Sequence, residues 1–460
     1  MILVRKCLHT GLAALMGLLF LAGCVRDPGS CEVAERVTEG PVNVSLTLAL
    51  KAFGSDGAIT KADFVDVDDS LHYPHEKVLK DAGIFLYDAS GAFVVDPVTK
   101  KYTFNPSGAT RIGTVEPVHT ESLEKGAKLR VDFDLDSPYT SLAVLVLGNY
   151  HISYSSTAAN MSSTAANMQA AVAALSQSTE ALVLPAQGTL ISDGIPMHGW
   201  MVFGSLEGLD AGASDAQKQK EIRQLKYYKG MSTPLTKYGF RDAAELAAYA
   251  SATTGRGTVR ITDCVPMRYA LSRLQLRYVP DTDGIAADSV EVRSVRLNVH
   301  RDKFLKLPAN LLGGEEVTPF DAVTDVGNFS SDVIDFTKVD VSTKSTAWVA
   351  YVPEVDSAAV KTAVANSEIH EPALEVEVKV TPRYGSAGKT VTFTYSGDHV
   401  TMDDGVNPAV SYENPGWTSW LKFRTIYARK DKENNDIPVG TMYNLVRHYS
   451  YEWIATGVDR

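Results

Sequence analysis

Apolar and polar residues alternate with a period of two along much of this chain, and that pattern limits what it can fold into. Val42, Val44, Leu46, Leu48 and Leu50 alternate with Asn43, Ser45, Thr47 and Ala49, which gives an extended segment one apolar face. Leu129, Val131, Phe133 and Leu135 do the same against Arg130, Asp132 and Asp134. So do Leu374, Val376, Val378 and Val380 against Glu375, Glu377 and Lys379, and Val391, Phe393 and Tyr395 against threonines. Sheets with one buried and one wet face pack as antiparallel sandwiches, so the fold class is mainly β. The unbroken apolar run Leu142 to Leu147 reads as a central strand, buried on both faces. Between Val292 and Val295 the apolar phase flips, which predicts a bulge or two separate strands.

Helical patterns fall between these strands. The unit SSTAANM at 155–161 repeats without change at 162–168, which sets Met161 and Met168 on one helical face, and Ala-rich sequence continues to Leu175. A duplication within a surface loop accounts for the repeat. The polar stretch 211–228 and the Ala-rich stretch 242–252 read as short helices between two strand-rich halves. Five segments result: 1–23, a signal peptide; 24–61, an amino-terminal segment with the first strand; 62–210, a β-sandwich; 211–256, a helical linker; and 257–460, a second β-sandwich.

The amino-terminal residues predict export. Arg5 and Lys6 precede an apolar run from Leu12 to Ala22, and Leu21-Ala22-Gly23-Cys24 forms a lipobox. The run is too short for a stable span, so it is a targeting segment, cut between Gly23 and Cys24 with a diacylglyceryl group on the Cys24 thiol. An acylated amino-terminal cysteine holds a folded domain at a bilayer. Val25 stands where an inner-membrane retention signal places Asp, which directs the chain to the outer membrane. The net charge of −11 becomes −13 once Arg5 and Lys6 are removed, and so acidic a chain argues against a nucleic-acid partner. Beyond Cys7 and Cys24, the chain holds Cys31 and Cys264; a disulfide between them and two free thiols both satisfy the count.

Chemistry-bearing motifs are weak. G-x-S-x-G, H-E-x-x-H, a P-loop and a dinucleotide fingerprint are all missing from the sequence, so no enzymatic activity, cofactor or metal is expected. Ser122-Leu-Glu-Lys125 matches S-x-x-K without its companion motifs. His72 and His75 flank Pro74 in a pattern that suits a surface loop better than a metal site. Asp63, Asp66, Asp68 and Asp69 lack the glycine and spaced acceptors of a calcium loop. Trp417, Trp420, Tyr451 and Trp453 suit strand-face packing better than a sugar-stacking platform.

Several pieces in order carry a resemblance. They are Cys24-Val-Arg-Asp-Pro-Gly-Ser-Cys31; a strand from Val78 to Tyr87 with the turn Asp88-Ala-Ser-Gly91; and Ile195-Pro-Met-His-Gly199. Next come a strand from Arg268 to Val279 with Arg-x-x-x-x-Arg spacing, Trp348-Val-Ala-Tyr-Val-Pro-Glu354, and Tyr443-Asn-Leu-Val-Arg-His-Tyr449. Together they resemble the fimbrillin superfamily of Bacteroidales, which includes fimbrial shaft, tip and membrane-anchor subunits. His448 stands where that family usually has asparagine.

The resemblance implies two transthyretin-like β-sandwich domains and a structural, adhesive role in fimbriae. In such proteins a trypsin-like protease releases the first strand, and the opened groove takes the carboxy-terminal strand of a neighbouring subunit. Here Val42, Val44, Leu46, Leu48 and Leu50 stand in the first strand, and Leu445, Tyr449, Tyr451 and Trp453 on one face of a donor-like last strand. The implied partners are other fimbrial subunits, the outer membrane through the lipid, and a receptor on a host or bacterial surface. No arginine occurs between Arg36 and Arg111, so processing here requires a lysine, with Lys61 before Ala62 the candidate. If arginine alone serves, the strand and its lipid stay, and the chain is an anchor at the base of the filament. A lipid-anchored glycan-binding protein is the other reading.

Overall fold

The computed structural model describes residues 40–50, 73–115, 128–150, 165–222, 226–229, 257–279, 288–308, 311–312, 326–342, 345–382, 388–396, 399–406, 409–412, 421–427, 445, 447–448 and 450–457. The fold is mainly β. The first unit contains β1 (Val42–Leu50), β2 (Ala82–Asp88), β3 (Phe93–Val95), β4 (Tyr102–Phe104), β5 (Thr110–Val115) and β6 (Lys128–Leu135). It continues with β7 (Leu142–Gly148), β8 (Leu182–Val183), β9 (Met197–Phe203), β10 (Lys226–Lys229) and β11 (Gly257–Tyr269). Its main sheet has the order β5-β2-β7-β9-β11-β1-β6, with β10 also on β11.

The long strand β11 joins the two halves of that sheet. Along 257–267 it runs parallel to β1, and at Arg268 and Tyr269 it pairs with β9. Gly199 of β9 makes that crossing possible: a Cβ there would stand 2.3 Å from the Pro266 carbonyl oxygen. As the unbroken apolar run predicts, every residue of β7 is buried, between β2 and β9. Helix α1 (Met168–Leu175) and helix α2 (Gln187–Asp193) add Met168, Val172, Leu175 and Leu190 to the same core.

Two readings change in the first unit. Helix α1 starts at Met168 because the Asn167 side chain caps it, accepting from the Ala170 N–H at 2.9 Å, while Asn167 itself bridges to Thr110. The repeat is therefore not helical just before Met168, and Met161 lies outside the described residues. In the stretch 211–228, helix α3 (Asp215–Ile222) forms, but Lys226 to Lys229 pair with β11 as β10. Two adjacent tyrosines between lysines have the aromatic propensity of a strand edge, and the available partner strand decides it. The stretch 242–252 lies outside the described residues.

The second unit contains β12 (Ser272–Val279), β13 (Asp288–Leu297), β14 (His300–Arg301), β15 (Lys303–Phe304), β16 (Phe329–Ser330), β17 (Ile334–Asp335) and β18 (Thr337–Ser342). It continues with β19 (Ser345–Val352), helix α4 (Ser357–Ala365), β20 (Leu374–Pro382), β21 (Lys389–Ser396), β22 (His399–Asp403), β23 (Val410–Tyr412), β24 (Leu421–Tyr427) and β25 (Ser450–Gly457). One sheet has the order β18-β19-β12-β25-β24 and the other β17-β13-β20-β21-β22-β23. They share one core, to which Leu274, Leu276, Val376, Val378, Phe393 and Trp453 all contribute. The phase flip near Val292 is a bulge within β13, where the register to β20 shifts between Val292 and Ser294.

The segment from 257, expected with the second unit, enters the first sheet as β11, and the chain passes to the second core at Ser272. The stretch Arg268 to Val279 is accordingly two strands, separated at Ala270 and Leu271. The second unit in turn reaches into the first. β15 pairs with β8, Phe304 and Leu307 are buried in the first core, and the Lys306 ammonium lies 2.7 Å from Glu180.

Candidate functional site

Two slots in the fold hold the first and the last strand. β1 lies between β6, to which it is antiparallel, and β11, to which it is parallel. Period two turns Val42, Val44, Leu46, Leu48 and Leu50 inward, and each is at most 1% exposed. The opposite face is mixed: the Asn43 amide donates to Asp134 at 3.0 Å, whereas Ala49 is buried with Cys264. The register to β11 shifts between Ser45 and Thr47, and Thr47 then pairs with Cys264.

The last strand has the same relation to its neighbours. β25 is parallel to β12 and antiparallel to β24, with Tyr451 and Trp453 buried in the second core. Leu445 is buried there too, but not as part of β25: its backbone N–H and C=O bond to Val355. The chain turns between them at His448, whose φ of 67° is left-handed. The expectation of one continuous face from Leu445 to Trp453 is thus corrected. Asparagine and histidine both tolerate this conformation better than most residues, which accounts for histidine at this position. Beside the turn, Arg447 pairs with Glu354 and donates to the Leu305 carbonyl at 3.2 Å. The His448 backbone N–H donates to the Leu271 carbonyl, and its Nδ1 accepts from the Tyr269 N–H at 3.2 Å.

A buried polar cluster ties the segment after β1 to both units. Glu76, in the 3-10 turn Pro74–Lys77, is fully buried. Its carboxylate accepts from Arg273 at 3.0 and 3.1 Å, from the Tyr351 hydroxyl at 2.7 Å and from the Tyr73 N–H at 2.8 Å. The Tyr269 hydroxyl donates to the Glu76 carbonyl, and Arg273 also donates to Ser450 Oγ at 2.9 Å. Nε2 of His75 lies 2.6 Å from the Tyr351 hydroxyl. His75 is therefore packed at this joint, where a surface loop was expected. Burial holds its imidazole below the ordinary range, against the opposing charge of Glu76. Burial pushes the Tyr73 hydroxyl up to about 12, Arg273 opposing and Glu76 adding to the rise.

Cys24, Gly23, Cys31, Lys61, Ala62, Tyr449, His72, Ser122, Lys125, the acidic cluster at 63–69, Trp417 and Trp420 lie outside the described residues. Tyr451 and Trp453 pack inward, so they do not form a sugar platform. Among the described residues no group of His, Cys, Asp and Glu is placed to hold a metal ion, and no helix is long and apolar enough to cross a membrane. Arg273, Tyr351 and Glu354 stand within pieces quoted from the sequence, and Glu76 beside His75, but the sequence gives none of them a role. Arg273 and Gln275 alternate with Leu274 and Leu276, which reads as a wet face; the turn at 73–77 covers that face instead.

No protein-family model matches the chain, and no curated protein matches its sequence. In structure it is similar to the tip fimbrial protein Mfa3 from Porphyromonas gingivalis with C-terminal truncation, at a TM-score of 0.36 and 11% identity, over 90% of this chain and 94% of that one. It is also similar to a protein of Parabacteroides distasonis provisionally assigned to cell adhesion, at a TM-score of 0.35 and 11% identity, over 78% of this chain and 81% of that one. A third similarity is to the fimbrial anchor protein Mfa2 from Porphyromonas gingivalis, at a TM-score of 0.20 and 8% identity, over 77% and 78% of the two chains.

Proposed function

We propose that this chain is a structural subunit of fimbriae attached to the outer membrane, joined to other subunits by strand exchange and supporting cell adhesion. The observation that carries the reading is the β1 slot. β1 is a nine-residue strand lodged parallel to β11, with five aliphatic side chains buried along one face. A segment of that kind is a removable plug: once it leaves, β6 and β11 present backbone groups and an apolar groove that a strand from another chain can satisfy. The Cys24 lipid holds the exported chain at the membrane, and Lys61 before Ala62 is the proposed release point. Other subunits are the direct partners, with a surface receptor beyond them.

The lack of arginine between Arg36 and Arg111 supports a second reading, in which β1 and the lipid stay and the chain caps the filament base. Amino-terminal sequencing of the protein recovered from cells separates the two. A start at Ala62 together with heat-sensitive ladders on SDS gels supports the polymerising subunit; a blocked, acylated Cys24 supports the anchor. A protein that joins no other fimbrial subunit after protease treatment, with surface filaments intact when 443–460 is deleted, ends the polymerising reading.

A further inference from the structure

The two slots read opposite sizes of side chain. The β1 slot is filled by valine and leucine alone at five alternate positions, each at most 1% exposed. In the β25 slot, Tyr451 and Trp453 take the corresponding inward positions. A core packed to completion around isobutyl and isopropyl groups has no room for an indole or a phenol ring.

That difference decides which strand can replace β1. In residues 443–460, one alternate phase runs Tyr443, Leu445, Arg447, Tyr449, Tyr451, Trp453, Ala455, Gly457 and Asp459. The other runs Asn444, Val446, His448, Ser450, Glu452, Ile454, Thr456, Val458 and Arg460. Every five-position window of the first phase sends Arg447, a tyrosine or Trp453 into the slot, and every window of the second sends in Glu452. In its own place Glu452 is 2.9 Å from Arg277, whereas the described inward residues of β1 and β6 (Val42 to Leu50 in alternation, Val131, Phe133 and Leu135) are all apolar. An unpaired carboxylate in an apolar groove is worse tolerated than an oversized ring.

Resting on the strand-exchange reading, we infer that the β1 slot takes a strand from a different chain, with aliphatic side chains at five alternate positions, and refuses this chain's own carboxy-terminal strand. Copies of this chain therefore do not extend a filament by passing their last strand to one another; the joint at β1 is heterotypic.

The test weakens β1 within the full chain and refills the slot in trans. Leu46→Asp, and the milder Leu46→Ala, are refolded with excess synthetic peptide 41–51 or peptide 443–460, and soluble folded yield and Tm are read. Peptide 41–51 is expected to restore both, with peptide 443–460 weaker by about tenfold or more in half-saturating concentration. Equal rescue by the two peptides overturns the inference and leaves strand exchange standing. Rescue by neither overturns strand exchange at this slot, and the inference with it. In an independent arm, Leu46→Trp in the full chain is expected to lower Tm relative to Leu46→Ile; an unchanged Tm shows that the slot accepts a large ring and overturns the size argument.

Discussion

Glu76 and Arg273 show how much a single residue controls at the joint. The Glu76 carboxylate is buried with Arg273, Tyr351 and the Tyr73 N–H all donating to it, so removing its charge leaves the guanidinium buried and uncompensated. Glu76→Gln is expected to cost about 3–5 kcal/mol in urea unfolding, and a loss below about 1 kcal/mol would show that water relieves the charge. Histidines set the acid limit. His198 is buried, and burial, with Arg447 and Arg268 adding, holds its imidazole well below the ordinary 6.5. The unfolded chain then binds the proton first. The contribution of His198 is complete above pH 6.5 and is lost as pH falls from there toward the lowered native value. Tm should therefore drop between pH 6.5 and 5, and less steeply in His198→Gln; equal slopes in the two proteins would assign the acid loss elsewhere. The sequence gives Glu76 no role, because its partners lie about two hundred or more positions away.

At the scale of elements, β1 and β25 were legible as strands and their slots were not. Strict alternation marks Val42 to Leu50 because one extended face must leave water. That β1 runs parallel to β11 depends on a partner more than two hundred residues later, which no local pattern encodes. Leu46→Ala should cost about 2–5 kcal/mol, since its side chain is fully buried in a strand held on both edges. Chemical denaturation of the purified chain measures this, and a cost under about 1 kcal/mol would mean that β1 is a loosely held strand. Deleting 450–460 removes β25 from between β12 and β24 and should unfold the second core, read as lost near-ultraviolet dichroism. Retention of a native signal would make β25 dispensable, as a strand meant only for donation would be. The misread elements have the same cause: β10 became a strand because β11 offered an open edge, and the stretch 445–453 broke at His448 to satisfy Val355 on one side and β12 on the other.

In the whole molecule, the two units are joined by chain segments that cross between them and by buried polar groups. Phe304 and Leu307 sit in the first core, Lys306 meets Glu180, and His448, just before β25, bonds to Tyr269 and Leu271 of the first core. The segment before β25 is part of this joint, so giving up the last strand would also loosen the contact between units. Lys306→Ala is expected to lower Tm by a few degrees through loss of the ion pair between the buried ammonium and the partly exposed Glu180. Differential scanning calorimetry should then resolve two transitions where the intact chain gives one; a single unchanged transition would mean that β15 and β8 hold the units together without the ion pair. The sequence by itself determined the mainly β class, the principal strands, the phase break between Val292 and Val295 and the aliphatic face of β1. Those properties are written in neighbouring residues, whose period decides which side chains leave water. Only the tertiary structure decided that β11 belongs with the first core, that Arg273 and Gln275 face a partner rather than solvent, and that the first and last strands occupy parallel slots of opposite side-chain size. Each of these depends on which distant segment arrives at an edge or a face, and a period of two carries no information about that.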